Sequence, residues 1–198
     1  MLDKQIGAAE NYLIELDHRA HKAFQPHTET PRIKALDLFS KLGDQPELRS
    51  ISGALIVAGI FGRNVRLVRA GARMLIAHEA ATFLKDRCKT EIDRTRPRSA
   101  EDRKDKKLKK GKHTAKEKTS FPSGHSAGAI AAARAFSREF PEYGAAALGA
   151  AGVIAASQVP RCAHYPTDVA AGMAVGLAAE KAIDLAWGAF GMDERSES

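Results

Sequence analysis

From Tyr143 to Pro160 the chain runs for 18 residues without a charged side chain, and most of them are Ala or Gly. Ala is the strongest helix former, so the stretch reads as a helix over about 144–159. Similar Ala- and Gly-rich stretches flank it. Ser123 to Phe140 reads as one helix and Pro166 to about Phe190 as another, the latter opened by a proline suited to a first turn. A membrane-spanning helix needs about 20 apolar residues, so an uncharged run of 18 leaves embedding in a bilayer open. Gly172 and Gly176 are spaced for close helix contact, either in a bilayer or in an ordinary tight core.

The first half of the chain is helical in a different way. Ile6, Ala9, Leu13, Leu16, Ala20 and Ala23 recur at steps of three and four among charged residues, which describes an amphipathic helix within residues 1–30. Pro26 and Pro31 break it. Ile33, Leu36, Phe39 and Leu42 then mark a short helix closed by Gly43, and Asp44 with Pro46 resembles a cap and first turn. An uncharged run follows from Ile51 to Gly62, and a mixed helical stretch continues from Val65 to about Leu84. The expected fold is all-α: a bundle of about six or seven helices with the active site between core helices. At 198 residues it makes one domain over 1–198.

Residues 98 to 118 interrupt this pattern with ten Lys or Arg, four Asp or Glu and few apolar side chains, which describes a basic, solvated loop insert. With 31 Lys and Arg against 24 Asp and Glu the formal charge is +7, so an anionic partner is favoured. Aromatics are only 6% of the chain and do not interleave with the basic residues, so the stacking platform of a single-strand nucleic-acid binder is missing and no nucleic-acid partner is expected. Cys88 and Cys162 are too few and too isolated for a disulfide scaffold or a zinc site. His78 and Glu79 begin like a zinc-protease motif, but Thr82 stands where the second ligand belongs. No metal or other cofactor is called for. The first residues lack the apolar run of a secretory signal, so no cleaved signal peptide is expected.

Three separated segments hold groups that phosphoryl transfer requires. Lys89 precedes Arg96 and Pro97 by six intervening residues. A compact ammonium and a planar guanidinium together suit the oxygens of a phosphoryl group in flight, although basic residues are common in this chain. In Phe121–Ser126, Ser123 reads as a helix cap and Gly124 permits close approach, so free backbone N–H groups there can hold a phosphate oxygen. His125 beside them can protonate a leaving alkoxide; the blander reading is an ordinary capped helix. In the third segment His164 precedes a helix begun by Pro166, and Asp168 in its first turn can reach back to the imidazole. An Asp on one ring nitrogen leaves the other free to attack. Alternatively, that Asp merely complements the helix dipole.

Together these segments resemble the phosphatidic acid phosphatase type 2 family, which includes lipid phosphatases, bacterial acid phosphatases and vanadium haloperoxidases. The likeness lies at Lys89, Arg96 and Pro97, at Pro122 to His125, and at Ser157, His164 and Asp168, in the family's order. It implies a metal-independent phosphatase in which His164 is the nucleophile, Asp168 orients it and His125 is the acid and then the base. Lys89, Arg96, Ser123 and Gly124 would bind phosphate. The chain is small for the extra scaffolding of a haloperoxidase. One position departs from the family: Gln158 stands where an Arg usually follows the third-motif Ser. Arg161, between Gln158 and His164, is the first candidate to compensate, ahead of Arg94 and Arg98.

The resulting expectation is hydrolysis of a phosphate ester or pyrophosphate, of a lipid, through a phosphohistidine intermediate. The alternative is a catalytically weak or inactive membrane protein that binds phospholipid or phosphate. The expected partner is a phosphorylated lipid substrate, and the expected location is the cell inner membrane, integral or tightly associated.

Overall fold

The computed structural model describes residues 2–100, 107–111 and 115–190, without the side chains of residues 2–7. Seven α-helices carry the described fold: α1 (Leu2–Phe24), α2 (Pro31–Ser40), α3 (Gln45–Phe61), α4 (Val65–Glu91), α5 (Gly124–Glu139), α6 (Gly144–Ser157) and α7 (Pro166–Ala189). The expected all-α bundle is what forms. The only described strands are two residues each, β1 (Ile92–Asp93) and β2 (Lys109–Lys110), paired antiparallel.

α5 is the central post. Small residues cover it, and Ala127 to Ala133 are all buried, so α4, α6 and α7 close around it while α3 packs on α4. Leu48, Met74, Ala77, Ala81, Ala131 and Ala179 form one core cluster around this helix; Ile130, Ala151 and Ile154 form a second on its α6 side. Alanine pairs bury little area per residue, so stability comes from many close contacts rather than a few large side chains. Gly172 and Gly176 are the limiting case. A Cβ at either would come within 2.4 Å of a backbone oxygen of α5's first turns, Ser123 O or Ala127 O. The glycine spacing thus belongs to a tight core seam between α5 and α7.

The helix ends follow local chemistry. Asn64 accepts from Leu67 N at 3.1 Å to start α4, and the Ser123 hydroxyl accepts from Ser126 N at 3.4 Å to start α5. Pro166 opens α7, whose Asp168 carboxylate accepts from Tyr165 N at 3.0 Å. Asp44 stands at the N-cap position of α3 as the sequence suggests, but makes no capping bond there. Its carboxylate is turned to His125 instead.

Two further features differ from the sequence reading. In α1 the residues that face the protein are Ile14, Asp17 and His21, while Leu13 and Leu16 of the apolar stripe are exposed. The helix is amphipathic, but it buries a mostly polar edge and turns its greasy one outward. The basic insert is not loop throughout. Residues 101–106 and 112–114 lie outside the described residues, but its final stretch folds back along the first motif: Arg94 N donates to Lys118 O at 2.8 Å and Arg96 N to Glu117 O at 2.7 Å.

Far from this end, the other terminus of α5 is held by charge. Glu139 pairs with Arg73 at 2.9 Å and Arg69 at 3.3 Å, and Glu180 of α7 pairs with Arg138 at 2.8 Å. Among the described residues no helix is long and apolar enough to cross a membrane. Large apolar side chains are nonetheless exposed along α3 and the start of α4 (Val57, Ile60, Phe61, Val65), on α4 at Phe83 and on α7 at Leu185.

Candidate active site

Five chain segments meet at the N-terminal ends of α5 and α7. α4 runs to Glu91, past the expected end near Leu84, and so carries Lys89 on its last turn. The Lys89 ammonium donates to Thr119 O at 2.8 Å. Burial, with the positive charge of Arg96 and Lys85 nearby, lowers its pKa to about 8. Arg96 is fixed by the returning insert: its Nε donates to Lys116 O at 2.7 Å and one terminal nitrogen to Ala163 O at 3.2 Å. That same nitrogen stands 3.4 Å from His164 Nε2.

His164 is 2% exposed and its two ring nitrogens face different surroundings. Nδ1 lies 3.4 Å from Ser120 Oγ and 3.8 Å from Asp168 Oδ2, and Nε2 looks toward Arg96. Ser120 Oγ in turn donates to Asp168 Oδ2 at 2.6 Å. With acceptors on the Nδ1 side, the neutral ring carries its proton there and presents the Nε2 lone pair toward Arg96. Burial, helped by Arg96 and Lys89 and opposed by Asp168, pushes the imidazole pKa down to about 4. The ring is therefore uncharged at neutral pH, as a nucleophile must be.

Asp168 is fully buried yet ionised. Burial raises its pKa, but contacts with His164, Arg94 and Ser120 outweigh that and hold the carboxyl at about 2. Oδ1 accepts from Arg94 at 2.5 Å; Oδ2 accepts from Ser120 and Tyr165 N and faces His164. Arg94 continues the chain inward, pairing through its other nitrogen with Asp17 of α1.

His125 stands on the first turn of α5, with its Nε2 2.7 Å from Asp44 Oδ1. Burial lowers its pKa; Asp44 works against that, and Arg161, Arg96 and Lys89 reinforce it. Both imidazoles thus sit in the field of the same two cations, Lys89 and Arg96. Ser123 is buried and its hydroxyl is engaged with Ser126, while its N–H donates to Asp168 O at 3.0 Å, tying the ends of α5 and α7 together. Gly124 abuts the side chain of Lys85, whose Cδ would be 3.1 Å from a Cβ there.

Gln158 and Arg161 behave as a unit. The Gln158 amide is buried and turned inward, donating to Ile154 O at 3.0 Å and Ser157 Oγ at 3.3 Å and accepting from Arg161 at 3.1 Å. Gln158 does not offer a donor to the site. It braces Arg161, whose terminal nitrogens also reach Ser40 and Asp37 of α2, so that Arg161 contributes a held positive charge near His125 and Arg96 rather than a free fork. Arg94 is committed to the two carboxylates. Arg98 is exposed, with its backbone N–H on Cys162 O. Both cysteines are free thiols.

The structure brings Lys89, Arg96, Ser123, Gly124, His125, His164 and Asp168 to one end of the bundle, with Arg161 at its edge. Sequence reasoning did not find Asp17, Asp44, Ser120 or Lys85. Ser120 sits beside a recognised motif and Lys85 one turn before Lys89, which are weak signals. Asp17 and Asp44 carry none, since they lie far away in sequence and resemble other surface carboxylates.

A family model described as the PAP2 superfamily matches residues 66–187, from the start of α4 almost to the end of α7. Among solved structures, the chain is similar to the crystal structure of a transmembrane PAP2-type phosphatidylglycerolphosphate phosphatase from Bacillus subtilis. Sequence identity is 22% and the TM-score 0.67, over 94% of this chain and 90% of that one. At that identity the likeness is one of fold. Among curated proteins nothing matches.

Proposed function

The chain belongs to the PAP2 superfamily; starting there, we propose that it hydrolyses the phosphate ester or pyrophosphate of a lipid through a phosphohistidine on His164. The observation that carries this is the environment of His164: a buried, neutral imidazole with an ionised Asp168 behind Nδ1 and a guanidinium 3.4 Å in front of Nε2. In the first step Nε2 attacks phosphorus. The bond from phosphorus to the leaving oxygen breaks, and His125 gives that oxygen a proton. The phosphorylated ring becomes cationic as its Nδ1 proton is retained, and the Asp168 charge stabilises it. In the second step His125, now neutral, takes a proton from water; the oxygen attacks phosphorus, the N–P bond breaks and inorganic phosphate leaves. Lys89 and Arg96 hold the non-bridging oxygens throughout.

A lipid substrate and tight membrane association are supported by the apolar side chains exposed on α1, α3 and α4 around a strongly basic chain. The test is phosphate release in detergent micelles from phosphatidic acid, phosphatidylglycerolphosphate and a polyprenyl diphosphate. The expected result is turnover of at least one, abolished in His164→Ala, with a chelator making no difference. Absence of release from every substrate would overturn the enzyme reading in favour of a phospholipid-binding protein without turnover.

A further inference from the structure

We propose that Asp17, contributed by the N-terminal helix α1, is a positioning residue for the nucleophile, acting on His164 through Arg94 and Asp168. This rests on the phosphatase reading above, and it adds an element that lies outside the 66–187 family match.

The four side chains form a buried relay in which hydrogen bonds join Asp17, Arg94 and Asp168, and His164 Nδ1 lies 3.8 Å from Asp168 Oδ2 with Ser120 Oγ in reach of both. Asp17, Arg94, Asp168 and His164 are 0%, 4%, 0% and 2% exposed. One Arg94 terminal nitrogen pairs with Asp17 Oδ2. The other donates to Asp168 Oδ1 at 2.5 Å and to Thr167 Oγ1 at 2.7 Å. Arg94 also lies over the Tyr165 ring, 4.2 Å from its centroid, so the guanidinium plane has little room to turn. Asp17 holds the start of α7 directly as well: Oδ1 accepts from Thr167 N at 3.1 Å and Oδ2 from Thr167 Oγ1 at 2.6 Å. On α1 the next inward residue, His21, meets Tyr165 edge-on.

The consequence is a division of labour at Asp168. A guanidinium facing a single carboxylate favours a bidentate clasp over both oxygens. Asp17 prevents that by taking one side of the fork, which leaves Arg94 on Oδ1 alone and keeps Oδ2 for Ser120, Tyr165 N and His164. Asp17 also offsets the guanidinium charge, so that Asp168 retains its negative field toward the ring that becomes cationic.

The test compares Asp17→Asn, Asp17→Glu, Arg94→Gln and the Asp17→Asn/Arg94→Gln double variant, using phosphate release from phosphatidic acid micelles and far-ultraviolet melts. Asp17→Asn is expected to lower kcat about tenfold or more with KM changed less than twofold, and Asp17→Glu, which keeps the charge, to recover most of the loss. In the Arg94→Gln background Asp17→Asn is expected to cost less than twofold further, because its route to the ring is already cut. Wild-type kcat in Asp17→Asn, equal losses in the Asn and Glu variants, or a full independent loss in the double variant would each overturn the proposal. A wild-type chain that releases no phosphate would sink the phosphatase reading instead. The positioning role is then judged from 15N spectra of the His164 imidazole, expected to change tautomer balance and titrate lower in Asp17→Asn; an unchanged spectrum would refute it.

Discussion

Replacing Asp168 by Asn keeps shape and volume while reversing the chemistry at one atom. Every contact to the carboxylate is from a donor: Arg94 on Oδ1, and Ser120 Oγ and Tyr165 N on Oδ2, which also faces His164 Nδ1. An Asn must place its NH2 against one of these groups. Toward Arg94 it sets donor against donor beside an uncompensated guanidinium. Toward Oδ2 it confronts Tyr165 N and presents an N–H to Nδ1, which then becomes the acceptor, moving the ring proton to Nε2 and closing off the attacking lone pair. A carboxylate-to-amide change of this kind lowers kcat about 10⁴-fold in a serine-protease triad by the same tautomer error, and about 10³-fold or more is expected here. Breaking a buried pair costs roughly 3 to 5 kcal/mol of stability, so the melt should fall too. Single-turnover phosphate release with acid-quench detection of phosphohistidine is the assay. If Asp168→Asn kept more than about a tenth of the wild-type rate of phosphohistidine formation, with a normal melt, the tautomer argument would be wrong.

Stability should fall in two stages on the acid side. The His164 pKa is depressed from 6.5 to about 4, so the contribution of the neutral ring is complete above pH 6.5 and is lost as pH falls toward 4. Asp168, depressed from 3.8 to about 2, loses its contribution only below about 4. Urea melts at stepwise pH should show the first loss before the second, and a flat profile from pH 7 to 4 would contradict it. Asp44→Ala removes the charge that favours protonated His125, so the alkaline limb of the kcat profile should move to lower pH and kcat should fall several-fold; a limb shifted upward would be the wrong sign. Glu139→Ala should lower stability by roughly 1 to 3 kcal/mol, because Arg69 and Arg73 lose a shared buried carboxylate while Arg73 keeps Asp184. It lies 14 residues, about 20 Å, along α5 from His125, so phosphate release per folded molecule should stay within about twofold of wild type.

Helices and motifs were legible for physical reasons that operate locally. The cap at Ser123, the proline at 166 and Ala-rich composition act over a few residues, and α5, α6 and α7 lie close to where these signals place them. The motif residues could be assembled because each chemistry requires a definite side chain. What escaped depends on contacts between distant segments. α4 continues through Lys85, Arg87 and Lys89 because its end is partly covered, though charge alone reads as a helix running out. The apolar periodicity of α1 did not by itself mark its buried face: periodicity tells which side is greasy, and only the partner surface decides which side is covered. Asp44 looked like a cap and became a partner of His125, and Gln158 looked like a weakened phosphate ligand and became a brace for Arg161.

The glycine seam has a consequence for how this site can diversify. Where Gly172 and Gly176 lie on Ser123 O and Ala127 O, backbone meets backbone. The spacing between the helix that carries His125 and the helix that carries Asp168 is thus set by main-chain atoms and cannot be tuned by exchanging one aliphatic residue for another. Descendants of this sequence could adapt to bulkier or slimmer substrates only from the rim, through α1, α2 and the returning insert, while the reacting gap itself stays at a fixed gauge.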